Sequence, residues 1–253
     1  MFKFLKTKND SNNSNAIPFL DDDRVYAIGD IHGRADLLEN LLKKIKAHAE
    51  KGSRAKNTLV FLGDYVDRGT DSKKAIELVI NFQEPGFEKI TLKGNHEAML
   101  LDYVEDASAG PLWFENGGNA TLFSYGIQLD GGLSLAEKLQ KGHQAFLERL
   151  PGEHLNFFKS LSLYYPKGKY VFVHAGIRPG RKLEDQVEND LLWIRDDFLN
   201  RSKKIDYIVV HGHSVTWEPM VKEDEIAVDT GAYATGILTC AIITNQSVEF
   251  LST

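Results

Sequence analysis

The sequence predicts an α/β fold whose first strands are parallel. Strand-like and helix-like segments alternate in the N-terminal half, and the strand-like segments contain apolar runs such as "LVFL" (59–62). Such alternation is typical of β-α-β units, whose strands are parallel and whose crossovers are right-handed. Residues able to bind metals directly follow several of these apolar segments. Because sites form outside the carboxyl ends of parallel strands, the pattern also predicts a functional site at one edge of a sheet.

Three strands and three helices are predicted in order through this half. The strands are "RVYAIGD" (24–30), "TLVFLGD" (58–64) and "EKITLKGN" (88–95). The first helix is predicted from apolar residues at helical spacing, namely Leu37, Leu38, Leu41, Leu42 and Ile45. The second helix is "SKKAIELVINFQE" (72–84), and the third begins at His96 and ends near Asp106.

The C-terminal half is predicted to be richer in strands. A largely helical insertion is expected over residues 98–165, covering one end of the sheet. The strands that follow are "KYVFVHAG", "IDYIVVHGH", "EIAVDTGAY", "ILTCAIIT" and "SVEFL", interrupted by a helical "DLLWIRDDFLN". No composition shift marks a linker, so residues 22–253 are predicted to form one domain. Residues 1–21 are Asn- and Ser-rich and are predicted to be a flexible tail.

Composition excludes several classes of protein. A net charge of −6 argues against a general nucleic-acid-binding protein. The single cysteine, Cys240, excludes an internal disulfide framework and indicates a reducing compartment. No run of 18 apolar residues is present, so no membrane span is predicted. A cytoplasmic protein is expected.

Five strand ends carry side chains that can bind metals: "GDIHG" (29–33), "GDYVDRG" (63–69), "GNHE" (94–97), "VHAG" (173–176) and "VHGHS" (210–214). Any one of these motifs occurs by chance, but five of them after apolar segments indicate a site. The remaining histidines, His48, His143 and His154, lie in helical or loop stretches and are predicted to be solvated or packing residues.

The candidate ligands are oxygen and imidazole donors without a thiolate, namely Asp30, His32, Asp64, Asn95, His174 and His213. Such a set suits Mn, Fe or Zn. Six ligands are too many for one catalytic ion with an open position but suffice for two ions if one carboxylate bridges them. Asp64 follows the central one of the three strands and is the predicted bridge.

Taken in order, the motifs GDxHG, GDxVDRG, GNHE, HAG and GH[ST] resemble those of the calcineurin-like metallophosphoesterases, specifically the phosphoprotein phosphatase branch and its bacterial members. The resemblance runs from about Val25 to Tyr233. A further stretch, "WFENGGNATLFSYG" (113–126), resembles one common in bacterial members. Val215 stands where many other metallophosphoesterases have a second histidine, as in the phosphatase branch. The resemblance implies a central β-sandwich flanked by helices.

The resemblance also implies roles for individual residues. One metal would take Asp30, His32 and Asp64, and the other would take Asp64 with three further ligands, Asn95, His174 and His213. His96 would be the general acid, and Asp67 would pair with its imidazolium. His211 matches no ligand position and is expected to pack or to support a ligand.

Two arginines are predicted to bind phosphate. Arg68 lies in the GDxVDRG motif, and a second arginine is expected between HAG and GH[ST]. Arg195 in "LLWIRDD" is preferred because the resemblance implies an arginine shortly after a tryptophan, and Arg178 and Arg181 in "GIRPGR" are its competitors. Tyr233 in "DTGAY" either lies near the site or is a packed aromatic at a strand-end turn.

The predicted function is a di-metal phosphomonoesterase, a protein serine/threonine phosphatase in which a metal-bridging hydroxide attacks phosphorus. Two divalent metal ions are the expected cofactors, with manganese preferred over iron or zinc. A phosphorylated protein or a small phosphoester is the expected substrate. The first alternative is a symmetrical dinucleoside tetraphosphate hydrolase, a subfamily that tends to lack the aspartate found here as Asp67. The second is a metal-binding scaffold without activity, disfavoured because every expected catalytic position is filled.

Overall fold

The computed structural model describes residues 23–51 and 56–253. The predicted tail, residues 1–21, lies outside the described residues, and the division at residue 22 stays a prediction. The strands are β1 (Asp23–Ile28), β2 (Lys56–Phe61), β3 (Phe87–Thr91), β4 (Tyr164–Lys167), β5 (Tyr170–Val173), β6 (Ile208–His211), β7 (Met220–Val221), β8 (Glu225–Ala227), β9 (Thr239–Thr244) and β10 (Val248–Ser252).

The helices are α1 (Ala35–Glu50), α2 (Ser72–Asn81), α3 (Asn95–Glu105), α4 (Gly110–Glu115), α5 (Gly118–Ser124), α6 (Leu135–Arg149), α7 (Gly152–Ser160), α8 (Glu188–Trp193), α9 (Asp196–Leu199) and α10 (Ala232–Thr235). Short 3-10 turns lie at Ala107–Ala109 and Leu183–Asp185. Helices α3 to α7 occupy most of the segment predicted as a helical insertion.

The first sheet has the strand order β10-β9-β1-β2-β3. Strand β2 pairs in parallel with β1 on one side and β3 on the other, and the connections run through α1 and α2. Strands β9 and β10 complete the sheet as an antiparallel pair beside β1. The predicted parallel β-α-β arrangement of β1, β2 and β3 is therefore confirmed. The sheet as a whole is mixed, because β9 and β10 pair antiparallel.

The second sheet has the order β4-β5-β6-β8-β7. Its three central strands, β5, β6 and β8, are parallel, and each edge strand is antiparallel to its neighbour. Parallel strands in both sheets bring their carboxyl ends, and hence the polar motifs, to the edge of each sheet.

The two sheets pack face to face around a shared apolar core. Val25 and Ala27 of β1, with Val60 of β2, contact Phe172 of β5 and Val210 of β6 in this layer, and all five are fully buried. Alternate residues of the same strands point the other way, because successive side chains of a strand face opposite sides. The α/β fold with a central β-sandwich is confirmed.

Helices cover the outer face of each sheet. Tyr26 and Ile28 of β1 pack with Leu38 and Leu41 of α1 in the larger helical core, to which the insertion contributes Trp113. On the second sheet, α8 and α9 cover β5 and β6 in a smaller core. Both faces of β1, β2, β5 and β6 are thus buried, which explains why these strands are mostly apolar.

The structure differs from the sequence prediction at several places. The predicted strand "EIAVDTGAY" ends at Ala227, and helix α10 begins at Ala232 within the predicted segment. Strands β4 and β7 were not predicted, because each is a short edge strand of at most four residues with a weak pattern. Strand β4 also begins inside the segment predicted to be helical. The predicted single helix over "DLLWIRDDFLN" is broken into α8 and α9 at Ile194 and Arg195, whose backbones are not helical.

No helix in residues 23–51 or 56–253 is both long enough and apolar enough to cross a membrane. The predicted cytoplasmic location stays a prediction.

Candidate active site

The candidate ligands lie on the loops that leave β1, β2, β5 and β6 and at the start of α3 after β3. The backbone ties the first two loops together, since Ile31 and His32 both donate N–H groups to Asp64 O, at 3.0 and 2.8 Å. The loop after β6 joins them through Asp30, whose carboxylate oxygens each accept from His213 N–H at 3.1 Å. The structure therefore brings the predicted strand ends of both sheets to one place.

Backbone strain is concentrated at these loops. Positive φ angles are uncommon for residues with a Cβ and persist where the surroundings enforce them. In the described part of the chain, the non-glycine residues with positive φ are all predicted site residues: His32 (45°), Asp64 (51°), Asp67 (72°), Arg68 (66°) and His213 (59°).

One group of candidate ligands surrounds the amide oxygen of Asn95. Its Oδ1 lies 2.8 Å from His174 Nε2 and 2.9 Å from His213 Nδ1, and His174 Nε2 lies 3.5 Å from Asp64 Oδ1. His174 Nδ1 donates to the carbonyl of Leu62 at 2.9 Å, so Nε2 presents a lone pair. Lone pairs on oxygen and nitrogen converging in this way are suited to a cation.

The other group is built around His32. Its Nδ1 donates to Val66 O at 2.9 Å, which leaves Nε2 as a lone pair. That atom lies 3.6 Å from Asp64 Oδ2 and 4.0 Å from Asp30 Oδ2. Arg68 Nη1 donates to the same nitrogen at 3.0 Å. Asp64 thus faces both groups, one through each carboxylate oxygen.

The electrostatics of both groups favour divalent cations. Burial lowers the pKa of His32 and of His174 well below the usual value, so both imidazoles are neutral. Burial raises the pKa of Asp64 to about 6, and burial with the charges of Asp229 and Asp64 raises that of Asp30. Buried carboxylates crowded together resist ionisation unless a positive charge compensates them. Neutral imidazoles with such carboxylates fit a metal site.

His96 and Asp67 form a buried pair beside these groups. His96 Nδ1 donates to Asp67 Oδ2 at 2.6 Å, and both side chains are fully buried. His96 Nε2 has no hydrogen-bond partner among the described residues and lies 3.8 Å from Asp64 Oδ2. Burial lowers the pKa of His96, but the carboxylates of Asp64 and Asp67 outweigh it and the net shift is upward. His96 is thus an imidazole that can hold a proton while facing the candidate ligands.

The candidate phosphate-binding arginines differ in their surroundings. Arg68 lies with its guanidinium carbon 4.7 Å from the centre of the Tyr233 ring, and that ring also packs edge-on against His32. Arg195 is exposed, and no carboxylate of the described chain pairs with it. Its charge contributes, after burial, to lowering the pKa of His213 to about 3. Arg195 therefore lies close enough to this candidate ligand to act on it.

The competing arginines are held elsewhere. Arg178 donates to both oxygens of Asp190, at 2.8 and 2.7 Å, and to Asp197 at 2.8 Å. Arg181 donates to Asp190 at 3.1 Å. These two guanidinium groups are committed to ion pairs.

The remaining histidines contact groups outside the candidate site. His211 is fully buried, 3.5 Å from Glu225 Oε1. The other three bond to groups in the helical layers: His48 to Tyr26 Oη, His143 to Val104 O and His154 to Tyr125 Oη.

A family model for calcineurin-like phosphoesterases matches residues 23–236, which span both sheets and every residue of the site. The chain belongs to the calcineurin-like phosphoesterase family.

Relatives of this calcineurin-like phosphoesterase carry two kinds of name. A serine/threonine-protein phosphatase 2 of Escherichia coli K12 is 25% identical over 221 residues, covering 85% of this chain and 90% of the relative. An asymmetrical bis(5′-nucleosyl)-tetraphosphatase of Oceanobacillus iheyensis is 27% identical, covering 82% and 84%. A crystal structure of a candidate diadenosine tetraphosphatase shares the fold, with a TM-score of 0.64, 20% identity and coverage of 95% and 98%.

Two buried carboxylates of the site in this calcineurin-like phosphoesterase were not predicted from the sequence. Glu97 accepts N–H groups from Asp64, Tyr65 and Gly94 at 2.8–2.9 Å, which anchors two of the loops. Asp229 is almost fully buried, and its charge acts on Asp30. Both lie inside motifs identified in the sequence, "GNHE" and "DTGAY". Each motif lies at the end of a predicted strand, and that position at a strand end was the available signal.

Proposed function

We propose that this phosphoesterase is a di-metal phosphomonoesterase that hydrolyses phosphoserine and phosphothreonine in proteins. The observation that carries the proposal is the 2.6 Å hydrogen bond from His96 Nδ1 to Asp67, which leaves Nε2 free to serve as an acid. A serine or threonine alkoxide is a poor leaving group and needs a proton as it departs. A nucleotide leaving from a phosphoanhydride departs as a stable anion and has less need of one.

The proposed metal ligands are those that the two groups contain. Asp30, His32 and Asp64 would hold one ion, while Asp64 would share the second with a further set, Asn95, His174 and His213. Divalent ions held there, manganese in our proposal, would activate a water nucleophile and neutralise phosphate charge. The carbonyl acceptors of Leu62 and Val66 support this assignment, since each fixes the tautomer of a candidate histidine ligand.

The chain's own residues would orient the phosphoryl group and supply the proton. Arg68 and Arg195 would bind the phosphoryl oxygens, and Arg68 is well suited because a guanidinium can donate two parallel hydrogen bonds. His96 would donate its Nε2 proton to the departing oxygen. Asp67 would keep the imidazole in the orientation that points Nε2 at the leaving group and would stabilise its charge.

A second candidate function is hydrolysis of dinucleoside tetraphosphates. The relatives named as asymmetrical tetraphosphatases favour it, because they are as similar to this chain as the named protein phosphatase is. Both reactions would use the same proposed metal ligands, so these ligands do not discriminate between the two reactions. The pair of His96 and Asp67 supports the phosphatase proposal, because a proton donor benefits alkyl esters most.

A direct comparison of substrates tests the proposal. Manganese-loaded protein would be assayed on phosphoserine and phosphothreonine peptides and on diadenosine tetraphosphate under identical conditions. We expect kcat/KM to be at least about tenfold higher on the peptides, equivalent to about 1.4 kcal/mol of differential transition-state binding.

Faster cleavage of the dinucleotide would overturn the phosphatase proposal in favour of the second candidate. Its products would then separate the two modes of cleavage, because asymmetrical cleavage yields ATP and AMP while symmetrical cleavage yields two molecules of ADP.

A further inference from the structure

The segment "WFENGGNAT" (113–121) lies against the acid pair, although it belongs to the helical insertion and not to a strand end. Trp113 lies in α4, Gly117 in the turn between the two helices, and Thr121 in α5, each four positions from the next. Both Trp113 and Thr121 are fully buried.

The carboxylate of Asp67 accepts hydrogen bonds from two of these residues. Thr121 Oγ1 donates to Oδ1 at 2.6 Å, and Trp113 Nε1 donates to Oδ2 at 2.8 Å. His96 Nδ1 donates to the same Oδ2 at 2.6 Å. Both carboxylate oxygens are therefore held by donors other than the histidine, and the carboxylate cannot rotate without breaking buried hydrogen bonds.

The same segment also accepts hydrogen bonds from the backbone of Asp67 and Arg68. Asp67 N–H donates to Thr121 Oγ1 at 2.9 Å, and Arg68 N–H donates to Gly117 O at 3.3 Å. Asp67 and Arg68 both have positive φ, a conformation that needs such support. Gly117 itself has φ of 100°, and a Cβ there would lie 3.0 Å from Arg68 N.

Close packing brings the indole to the carboxylate. A Cβ on Gly118 would lie 2.5 Å from Trp113 Cδ2, so the glycine lets α5 lie directly on the ring. Two consecutive glycines in the segment thus have separate uses, one against the backbone of Arg68 and the other against the ring of Trp113.

We propose that Thr121 and Trp113 are positioning residues for general-acid catalysis: they fix Asp67, and through it His96, so that the protein can hydrolyse esters of aliphatic alcohols. This inference rests on the proposed function, in which His96 is the acid. It assigns the segment 113–121 a part in the choice of leaving group, beyond its part in packing. Thr121 is the sharper test of the two, because Trp113 is also a large core residue.

The experiment compares Thr121→Val, which removes the hydroxyl with little change in shape, with Thr121→Ser, which keeps it. Turnover is measured on a phosphoserine peptide and on p-nitrophenyl phosphate, whose leaving group departs without a proton. We expect Thr121→Val to lower kcat about tenfold or more on the peptide and clearly less on p-nitrophenyl phosphate. Thr121→Ser is expected to stay near wild type on both.

Thr244→Val is the matched control. Thr244 also has a hydrogen-bonded hydroxyl, but its partners are Ser247 and Gln246 in the β9–β10 turn. This variant is expected to keep the wild-type ratio of the two rates. Combined with His96→Asn, Thr121→Val is expected to lower peptide turnover no further, because residues that act through one group are not additive. Equal losses on both substrates, or full additivity with His96→Asn, would overturn the positioning role.

A readout without substrate separates this inference from the proposed function. The Nδ1–H proton of His96, assigned by its loss in His96→Asn, is expected to exchange slowly with solvent in wild type and Thr244→Val and faster in Thr121→Val. Unchanged exchange in Thr121→Val would overturn the positioning role. Faster exchange in a protein that hydrolyses no phosphomonoester would show that Thr121 fixes the pair of Asp67 and His96, while the proposed function fails.

Discussion

Arg178 and Asp190 form a two-bond ion pair, with Nε 2.8 Å from Oδ2 and Nη2 2.7 Å from Oδ1. The pair joins the loop after β5 to α8, and a third bond, to Asp197, extends it to α9. A guanidinium engaged in this way has few donors left for a phosphate. Arg195 has no such partner among the described residues, although it lies only five residues after Asp190.

Arg195→Ala is therefore expected to lose activity, whereas Arg178→Ala is expected to lose thermal stability. Loss of Arg195 should weaken transition-state binding of the phosphoryl group by about 2–4 kcal/mol, the range found for other preorganised donors. Loss of Arg178 should lower the midpoint of thermal unfolding while leaving kcat/KM near wild type. Steady-state kinetics and thermal melts of both variants check this. Normal kinetics in Arg195→Ala would return the role to Arg178 or Arg181.

Asp64→Asn is expected to lose more bound metal than any other single ligand variant. The Asp64 carboxylate faces both candidate groups, with His174 Nε2 3.5 Å from Oδ1 and His32 Nε2 3.6 Å from Oδ2. Isothermal titration with Mn²⁺ and metal analysis of the purified variant measure the loss. Asp102→Asn, on the exposed side of α3, is the control. A variant that still bound two equivalents of manganese as tightly as wild type would contradict the bridging assignment.

His96→Asn is expected to separate proton donation from metal binding. The imidazole lies beside the proposed ligands without belonging to either proposed set, so metal content should stay near wild type. Turnover should fall about 10²–10⁴-fold on phosphoserine peptides, the usual contribution of a positioned acid. The fall should be smaller on p-nitrophenyl phosphate. A uniform loss across leaving groups would argue that His96 has another role.

Stability at acid pH is expected to depend on Glu225. This fully buried carboxylate faces Arg201 Nη1 at 2.8 Å and His211, and these partners outweigh burial and lower its pKa to about 2. Because the folded pKa lies below the unfolded value, the stabilisation is complete above about pH 4.5 and is lost as pH falls towards 2. Above that pH the stabilisation contributes about 3 kcal/mol to the free energy of unfolding.

Urea unfolding at several pH values checks this expectation. Wild type should lose more stability between about pH 5 and pH 3 than Glu225→Gln, which cannot ionise at this position. At neutral pH the variant should already be less stable, because Arg201 is left without its buried partner. Glu218→Gln, an exposed change, should keep the wild-type pH profile. Parallel profiles for wild type and Glu225→Gln would contradict the shifted pKa.

Much of the fold and of the candidate site could be predicted from local features of the sequence. Apolar segments of the right length predict strands, their alternation with helices predicts parallel pairing, and parallel strands direct their carboxyl ends to one edge. For that reason Asp30, Asp64 and Asn95, which follow β1, β2 and β3, were predicted to converge, and they do so around His32 and His174. The resemblance of the ordered motifs added His174 and His213 from the second sheet.

The tertiary structure alone decided what depends on contacts between distant segments. Thr121 and Trp113 reach Asp67 from 54 and 46 residues away. The resemblance of the stretch 113–126 to bacterial members did not indicate that these two side chains contact Asp67. Four arginines lie between the HAG and GH[ST] motifs. Only the ion pairs that Arg178, Arg181 and Arg201 form with nearby carboxylates distinguish these three from Arg195. The physical reason is the same in each case. Periodicity records which face of a segment is buried, whereas a hydrogen bond or an ion pair depends on where packing places the partner.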